Sequence, residues 1–335
     1  MRLLVAKLQN AWAGHENQSA KTNYPVTRSQ PMSEHELFDR ELLWRRRERV
    51  AAMADAHDFL LQRVAEDFSE RLLAVHRKFE TVVDLGAHHG VIARRLQSLP
   101  GVSTVVSVDH VWSYLEQCPA PRVLADEEFL PFRESSLDLV VSGLSLQHVN
   151  DLPGALLQIR RALKPDGLML AALLGGQTLS ELREAFLLAE AEVEGGASPH
   201  VAPFADVRDL GSLLQRAGFA LPVTDADLVT VTYESPLALM RDLRGMGAGN
   251  VLKDRSRRPL RRETLIRACE IYVERHGLAG GRIPATFEII TLTGWAPHES
   301  QQKPLQPGSA KMRLADALGT REMPAGDKAG PGSKT

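Results

Sequence analysis

From Glu36 to Val75 apolar residues recur at three- and four-residue spacing, among them Leu42, Leu43, Val50, Met53, Phe59, Leu60 and Val64. That period predicts one or two helices ahead of a domain. After Phe79 the period changes, and "TVVDLG", "TVVSVD", "LDLVVSG" and "GLMLAALL" are short β-rich runs separated by helix-length stretches. The alternation predicts a doubly wound α/β domain, a parallel sheet with helices on both faces. Between Leu179 and Gly218 the pattern is mainly helical, broken by "EGGASPHVAPF", whose glycine and proline density predicts a functional loop. Two more β-like runs, "ADLVTVTY" and "TFEIITLTGW", flank the glycine-rich "RGMGAGN" and a further helix. From Pro297 onward Pro, Gly, Lys and Gln accumulate, and the tail after about Gly319 is expected to be disordered.

Composition narrows the class. An apolar share of 44% supports a packed core, and a net charge of −2 gives no overall electrostatic reason to expect nucleic acid as a partner. Cys118 and Cys269 form neither a disulfide framework nor a C-x-x-C pair, which fits a reducing compartment. No apolar run is long enough to span a bilayer, so membrane association is at most peripheral. The opening "MRLLVAKLQNAWAG" reads as an organelle-targeting leader or as part of an unstructured extension preceding a true start at Met32. The basic run "WRRRER" could meet phosphate, anionic lipid or an acidic partner, but is read as a solvated face carrying Arg45, Arg46, Arg47 and Arg49.

The candidate chemistry sits where the predicted strands end. "VVDLGAHHG" delivers Asp84, Gly86 and Gly90 to the carboxyl edge of the sheet, where open α/β folds bind ligands. A structural strand-to-helix turn explains the same residues on its own. Asp109, about twenty residues on, stands where a carboxylate can accept ribose hydroxyls. Asp126 follows the next strand, "LDLVVSGLSLQHVND" ends in small and polar residues, and Pro165 and Gly167 of "LKPDG" turn the chain into another strand.

That ordered set, "VVDLGAHHG", "VVSVD", "ADEEFLPF", "LDLVVSGLSLQHVND" and "ALKPDG", resembles the class I S-adenosylmethionine-dependent methyltransferase core of the type 11 branch, over about Phe79 to Leu174. The resemblance implies a Rossmann-like fold with an N-terminal helical arm and a helical lid insertion. It also implies a cofactor, S-adenosylmethionine. Asp84, Gly86 and Gly90 would line its methionine part, Asp109 would hold the ribose and Asp126 would face the adenine; His88, Glu127, Ser142 and Gln147 complete the implied contacts. Further segments, "FDRELL", "GGQTLSELREAFLLAEAEVEGGASPHVAPF", "LMRDLRGMGAGN" and "IPATFEIITLTGWAPHESQQKP", are similar to the mitochondrial complex I assembly factor 5 family and its bacterial relatives, over about 36–305. In that family the fold is associated with hydroxylating an arginine of a complex I core subunit. The implied partner is therefore such a subunit, in the mitochondrial matrix of a eukaryote or the cytoplasm of a bacterium. An ordinary methyltransferase acting on a small molecule or a carrier-bound carboxyl, and a noncatalytic assembly chaperone, are the alternatives.

The expected division is 1–35 leader or disordered extension, 36–78 helical arm, 79–175 cofactor-binding core, 176–300 helical lid and terminal strands of the same fold, and 301–335 a largely disordered tail. Two positions depart from the family pattern: His88 replaces the middle glycine of the turn, and Gln147-His148 stand where relatives read His-Trp. An imidazole at 88 calls for a different backbone path or a side chain turned outward. His88, His89 and His148 could hold a metal, but adjacent histidines on a turn often point apart, so they are read as surface or pocket-lining histidines and no metal is expected. Above the cofactor, Thr178, Glu181, Arg183 and His200 are candidates for gripping a substrate, with Glu181 suited to a guanidinium and Arg183 to a carboxylate. The competing reading is that they cap and solvate a lid helix. His298 and Glu299 are weaker candidates.

Overall fold

The computed structural model describes residues 36–302 and 312–320. The leader and the Met32 start lie outside the described residues, as does most of the expected tail. Seven strands form one sheet in the order β3-β2-β1-β4-β5-β7-β6. They are β1 (Phe79–Leu85), β2 (Val102–Asp109), β3 (Arg122–Leu124), β4 (Leu137–Gly143), β5 (Leu163–Leu174), β6 (Ala220–Tyr233) and β7 (Ile283–Trp295). β1 to β5 run parallel to one another, and β7 runs antiparallel between β5 and β6. This is the doubly wound α/β fold that the alternating pattern predicts.

Central strands read as unbroken Val/Leu runs because both of their faces are covered. Val82 belongs to one core cluster and Val83 to the other. Helices α2 (Phe59–Ala74), α3 (Val91–Gln97), α6 (Ser180–Glu194) and α9 (Arg262–His276) supply the first cluster, with Phe68, Ile92, Phe186 and Tyr272. Helices α5 (Leu152–Ala162) and α7 (Val207–Arg216) supply the second, with Ile159 and Leu214. The expected lid thus needs correcting: Leu182, Ala185, Phe186, Ile271 and Tyr272 share a core with Val82, so α6 and α9 are a layer covering a sheet face. The short α4 spans Trp112–Leu115 and α8 Pro236–Gly245. β5 takes up pairing with β4 at Leu163, the first residue of "LKPDG", whose turn is absorbed as an irregularity with Asp166 in the left-handed region. Within the described residues after 298, which form a separate unit, α10 spans Leu314–Leu318.

The arm is α1 (Arg40–Val50), followed by a 3-10 segment, Ala51–His57. It is clamped by the C-terminal half of the chain. Asp39 N–H donates to Val251 O, Lys253 N–H to Leu37 O, and Arg46 to Asn250 O. Gly247, at φ +71°, has no Cβ because one would sit 3.1 Å from Arg47 Cγ. His57 Nδ1 pairs with Asp242 at 2.5 Å, and Asp242 also accepts from Tyr233 OH. The solvated-face reading of "WRRRER" therefore fails at Arg47, which is 4% exposed, while Arg45 and Arg49 do face solvent. "RGMGAGN" is the saddle on which α1 lies.

Candidate active site

Strand register brings the predicted acids to one rim. Leu85 pairs with Val108 and Asp109 with Leu124, so the carboxyl ends of β1, β2 and β3 lie side by side, with Asp126 two residues beyond β3. The turn after β1 is fastened to β2 by Gly86 N–H and Ala87 N–H, both donating to Val108 O. Asp109 fastens it again: Oδ2 accepts from His88 N–H at 2.9 Å, and Oδ1 from Val111 N–H at 2.8 Å. Gly86 (φ +69°) and Gly90 (φ +86°) are left-handed, and a Cβ at Gly86 would run into the Ser145 side chain.

His88 does neither of the things its sequence position calls for. Its backbone keeps the glycine-like path at φ +49°, and its ring turns inward, with Nε2 3.2 Å from Gly143 O at the end of β4. The left-handed conformation costs a side-chain-bearing residue on the order of 1 kcal/mol. Burial holds His88 well below the usual histidine range, so it is neutral. His89 points the other way, to Asp58 at 3.1 Å, and His148 lies edge-on to the Phe38 ring. Among the described residues no group of three potential ligands converges on a metal position.

Asp84 is fully buried, and neither of its oxygens makes a hydrogen bond of good geometry. Burial pushes its carboxyl up to about 7; the Ala93 backbone N–H works the other way and Asp109 adds to the rise. Asp109 is likewise raised to about 7 by burial and by Glu127. His148 is driven down to about 3, by burial first and then by Arg47 and Arg40, and its Nδ1 is unpartnered. Ser142 Oγ donates to Leu85 O, tying β4 to β1, and Gln147 donates to Leu144 O while its own buried Oε1 has no donor.

The sequence did not single out what closes this rim. Arg40, at the start of α1, inserts among Asp126, Glu127 and Glu128. Trp44 stacks on His110, the residue after the predicted ribose acid, with centroids 3.5 Å apart. Ser145 Oγ donates to Glu127 Oε1. Asp126 and Glu127 were already named as implied cofactor contacts; for Arg40 and Trp44 the advance signals were only the quoted "FDRELL", which contains Arg40, and the basic run "WRRRER".

The other predicted residues are spent elsewhere. Thr178 and Glu181 are hydrogen-bonded to β7, through Glu288 and Thr286 respectively. Arg183 donates to Gly176 O and Thr178 O, closing its own turn. His200 meets Glu190 at 2.7 Å and stacks on Phe186, pinning the "EGGASPHVAPF" loop to α6. All four have internal partners; Thr178 and Glu181 are buried against β7, and no side chain caps the N-terminus of α6.

A family model described as "Methyltransferase domain" matches residues 55–222. Over 287 residues the chain is 43% identical to "Arginine-hydroxylase NDUFAF5, mitochondrial" of Danio rerio, covering 84% of this chain and 89% of that relative. The human protein of the same name is 41% identical over 301 residues, covering 87% and 86%. A "Malonyl-[acyl-carrier protein] O-methyltransferase" of Laribacter hongkongensis is 34% identical over 277 residues, covering 78% and 91%. A glycine turn fastened to an acid at the end of β2, inside a doubly wound sheet, thus accompanies likeness over most of the chain: the protein belongs to the methyltransferase-domain family, in the group that includes the NDUFAF5 arginine hydroxylases.

Proposed function

We propose that this protein binds S-adenosylmethionine at the rim of β1 and β2 and modifies an arginine of a respiratory complex I core subunit by hydroxylation. The observation that carries this reading is the 43% identity to an arginine hydroxylase along 84% of the chain. The residues present fit the cofactor. Asp84 offers two buried oxygens without a good hydrogen bond, Gly86 and Gly90 give the turn its left-handed path with Ser145 and Cys118 packed where their side chains would be, and Asp109 has carboxylate lone pairs left after its two backbone bonds. When bound, S-adenosylmethionine supplies an electrophilic methyl group on a cationic sulfonium.

Around that site the chain's own groups set the charge and exclude water. The neutral His88 and His148 leave Arg40 and Arg47 as the cations facing Asp109, Asp126, Glu127 and Glu128, so the rim favours a positively charged guest. This is the point at which the malonyl-carrier alternative is disfavoured, because its carboxyl-bearing substrate would meet like charge. Hydroxylation replaces an arginine C–H by C–OH; one oxygen atom of dioxygen is inserted, and the other leaves as water with two protons and two electrons from an external reductant. The location that goes with this reading is the mitochondrial matrix in a eukaryote and the cytoplasm in a bacterium. No described helix is long and apolar enough to cross a membrane.

Mass spectrometry of complex I subunits from a deletion strain tests the reading. Loss of one oxygen from an arginine is the expected result. Loss of a methyl group instead supports methyl transfer, and unchanged modification with failed assembly supports a noncatalytic chaperone.

A further inference from the structure

Helix α1 turns one face to the rim, and that face carries Arg40, Leu43 and Arg47 at three- and four-residue spacing, all buried. Leu43 packs with Phe38, Val251 and Leu252. The two arginines differ in their surroundings. Arg40 is held by Asp126, Glu127 and Glu128. Arg47 is 4% exposed, yet among the described residues no carboxylate, carbonyl or hydroxyl accepts a hydrogen bond from it. Its nitrogens are not sealed in as Arg40 Nε is, and they open on space that a guest can share. A guanidinium so far removed from water without an acceptor is costly, which calls for a partner that the chain itself does not supply.

Where Arg47 points is fixed at both ends. Its stem lies against Gly247, where a Cβ would come within 3.1 Å of Cγ. Its charge bears on His88 after β1, Asp109 at the end of β2 and His148 after β4, and on Tyr114 of α4, whose ring lies 5.8 Å from that of His88. The guanidinium thus stands over the carboxyl ends of three adjacent strands. Asp109 does not take it up, because its oxygens accept from His88 N–H and Val111 N–H. On the sheet side Asp84 is the complementary group, a buried carboxyl whose oxygens make no hydrogen bond of good geometry. A free cation on the arm and a free carboxyl on the sheet together suit a zwitterion. The amino-acid end of S-adenosylmethionine is one.

We propose that Arg47 binds the carboxylate of the cofactor's amino-acid end, and that this bond fastens the N-terminal arm over the occupied rim. This rests on the cofactor reading above and adds the residue through which the arm senses an occupied site. Once bound to that carboxylate, Arg47 is no longer available to a substrate carboxyl.

The test compares S-adenosylmethionine with its decarboxylated analogue, which keeps the adenosyl sulfonium and the amine, in calorimetric titrations of the full chain. Arg47→Gln is expected to lower the ratio of the two affinities about tenfold or more, by weakening only the ligand that carries the carboxylate. Unchanged binding of the analogue shows that the variant's site is folded. Arg47→Lys, which keeps a cation, should restore part of the ratio. In the parent, S-adenosylmethionine should slow hydrogen exchange over residues 36–57 and the analogue should not; this measurement needs no variant and serves if replacement unfolds the arm. An unchanged ratio in Arg47→Gln, or equal protection of the arm by both ligands, overturns the assignment. A malonyl thioester titrated in the presence of S-adenosylhomocysteine distinguishes the source of the carboxylate: if Arg47→Gln weakens that probe and leaves the ratio alone, Arg47 serves a substrate carboxyl and the proposal falls. If the parent binds neither cofactor compound, the cofactor reading falls and takes the assignment with it; binding without discrimination removes the assignment alone.

Discussion

Asp84 carries a carboxyl group that the folded protein cannot easily ionise. Its pKa is about 7 in the fold against 3.8 when unperturbed, so below about pH 4 it is neutral in both states and imposes no penalty. As pH rises toward 7 the unfolded chain ionises first, and the folded state loses stability at up to about 1.4 kcal/mol per pH unit. Asp84→Asn should therefore be more stable than the parent at pH 8 and nearly equal to it at pH 4, as read by denaturant unfolding at the two pH values. A residue kept at such a cost is more readily explained by ligand binding than by folding. His88 is the second residue-scale case. His88→Gly removes left-handed strain of on the order of 1 kcal/mol and clears the ring from Gly143, and it should tighten S-adenosylmethionine binding in a calorimetric titration. Unchanged or weaker binding would mean that the imidazole is a contact and not an obstruction. The sequence showed that position 88 was unusual. It could not show that the backbone would hold its path, because the anchor, Asp109, comes from the next strand.

At the scale of elements, the helices and strands were legible wherever one period held. The arm was legible as helical but not as buried, since the groups that bury it are remote: Arg40 and Asp126 are 86 residues apart, and Arg46 and Asn250 are 204. Local pattern reports a basic face; only tertiary pairing tells which arginines turn inward. The same holds for Glu181, Arg183 and His200, whose polarity suggested a substrate grip while their partners lie on β7, in their own turn and on α6. The glycine-rich saddle offers a test at this scale. Gly247→Ala introduces a Cβ 3.1 Å from Arg47 Cγ at a φ of +71°, which should loosen α1 without disturbing the sheet. Faster hydrogen exchange confined to residues 36–57 and 245–255 is expected; exchange that spreads through β1 and β4 would show that arm and sheet are one cooperative unit.

At the scale of the molecule, the doubly wound sheet was legible in the alternation of strand and helix periods, whereas the antiparallel insertion of β7 between β5 and β6 was not, because that pairing is set by remote strands. Phe287 on β7 is 1% exposed and packs edge-on against Phe59 of α2 at 5.9 Å, joining the last strand to the helix that follows the arm. Phe287→Ala should cost about 3–5 kcal/mol in equilibrium unfolding, the range for deleting a buried aromatic. A loss below about 1 kcal/mol would mean that this junction is not part of the main core.

The placement of β7 bears on how the protein is made. Among the described strands it is the last to leave the ribosome, yet it lies inside the sheet, between β5 and β6. Until Ile283–Trp295 has been synthesised, β5 presents the unpaired edge of a nearly finished sheet, and β6 has no neighbour to hydrogen-bond. Because translation proceeds at about 5–20 residues per second, the roughly 120 residues between the ends of β5 and β7 keep that edge open for about 6–24 seconds. Nascent chains halted before residue 283 should accordingly be held by chaperones or clump together, while those carrying the whole strand should be released as folded protein.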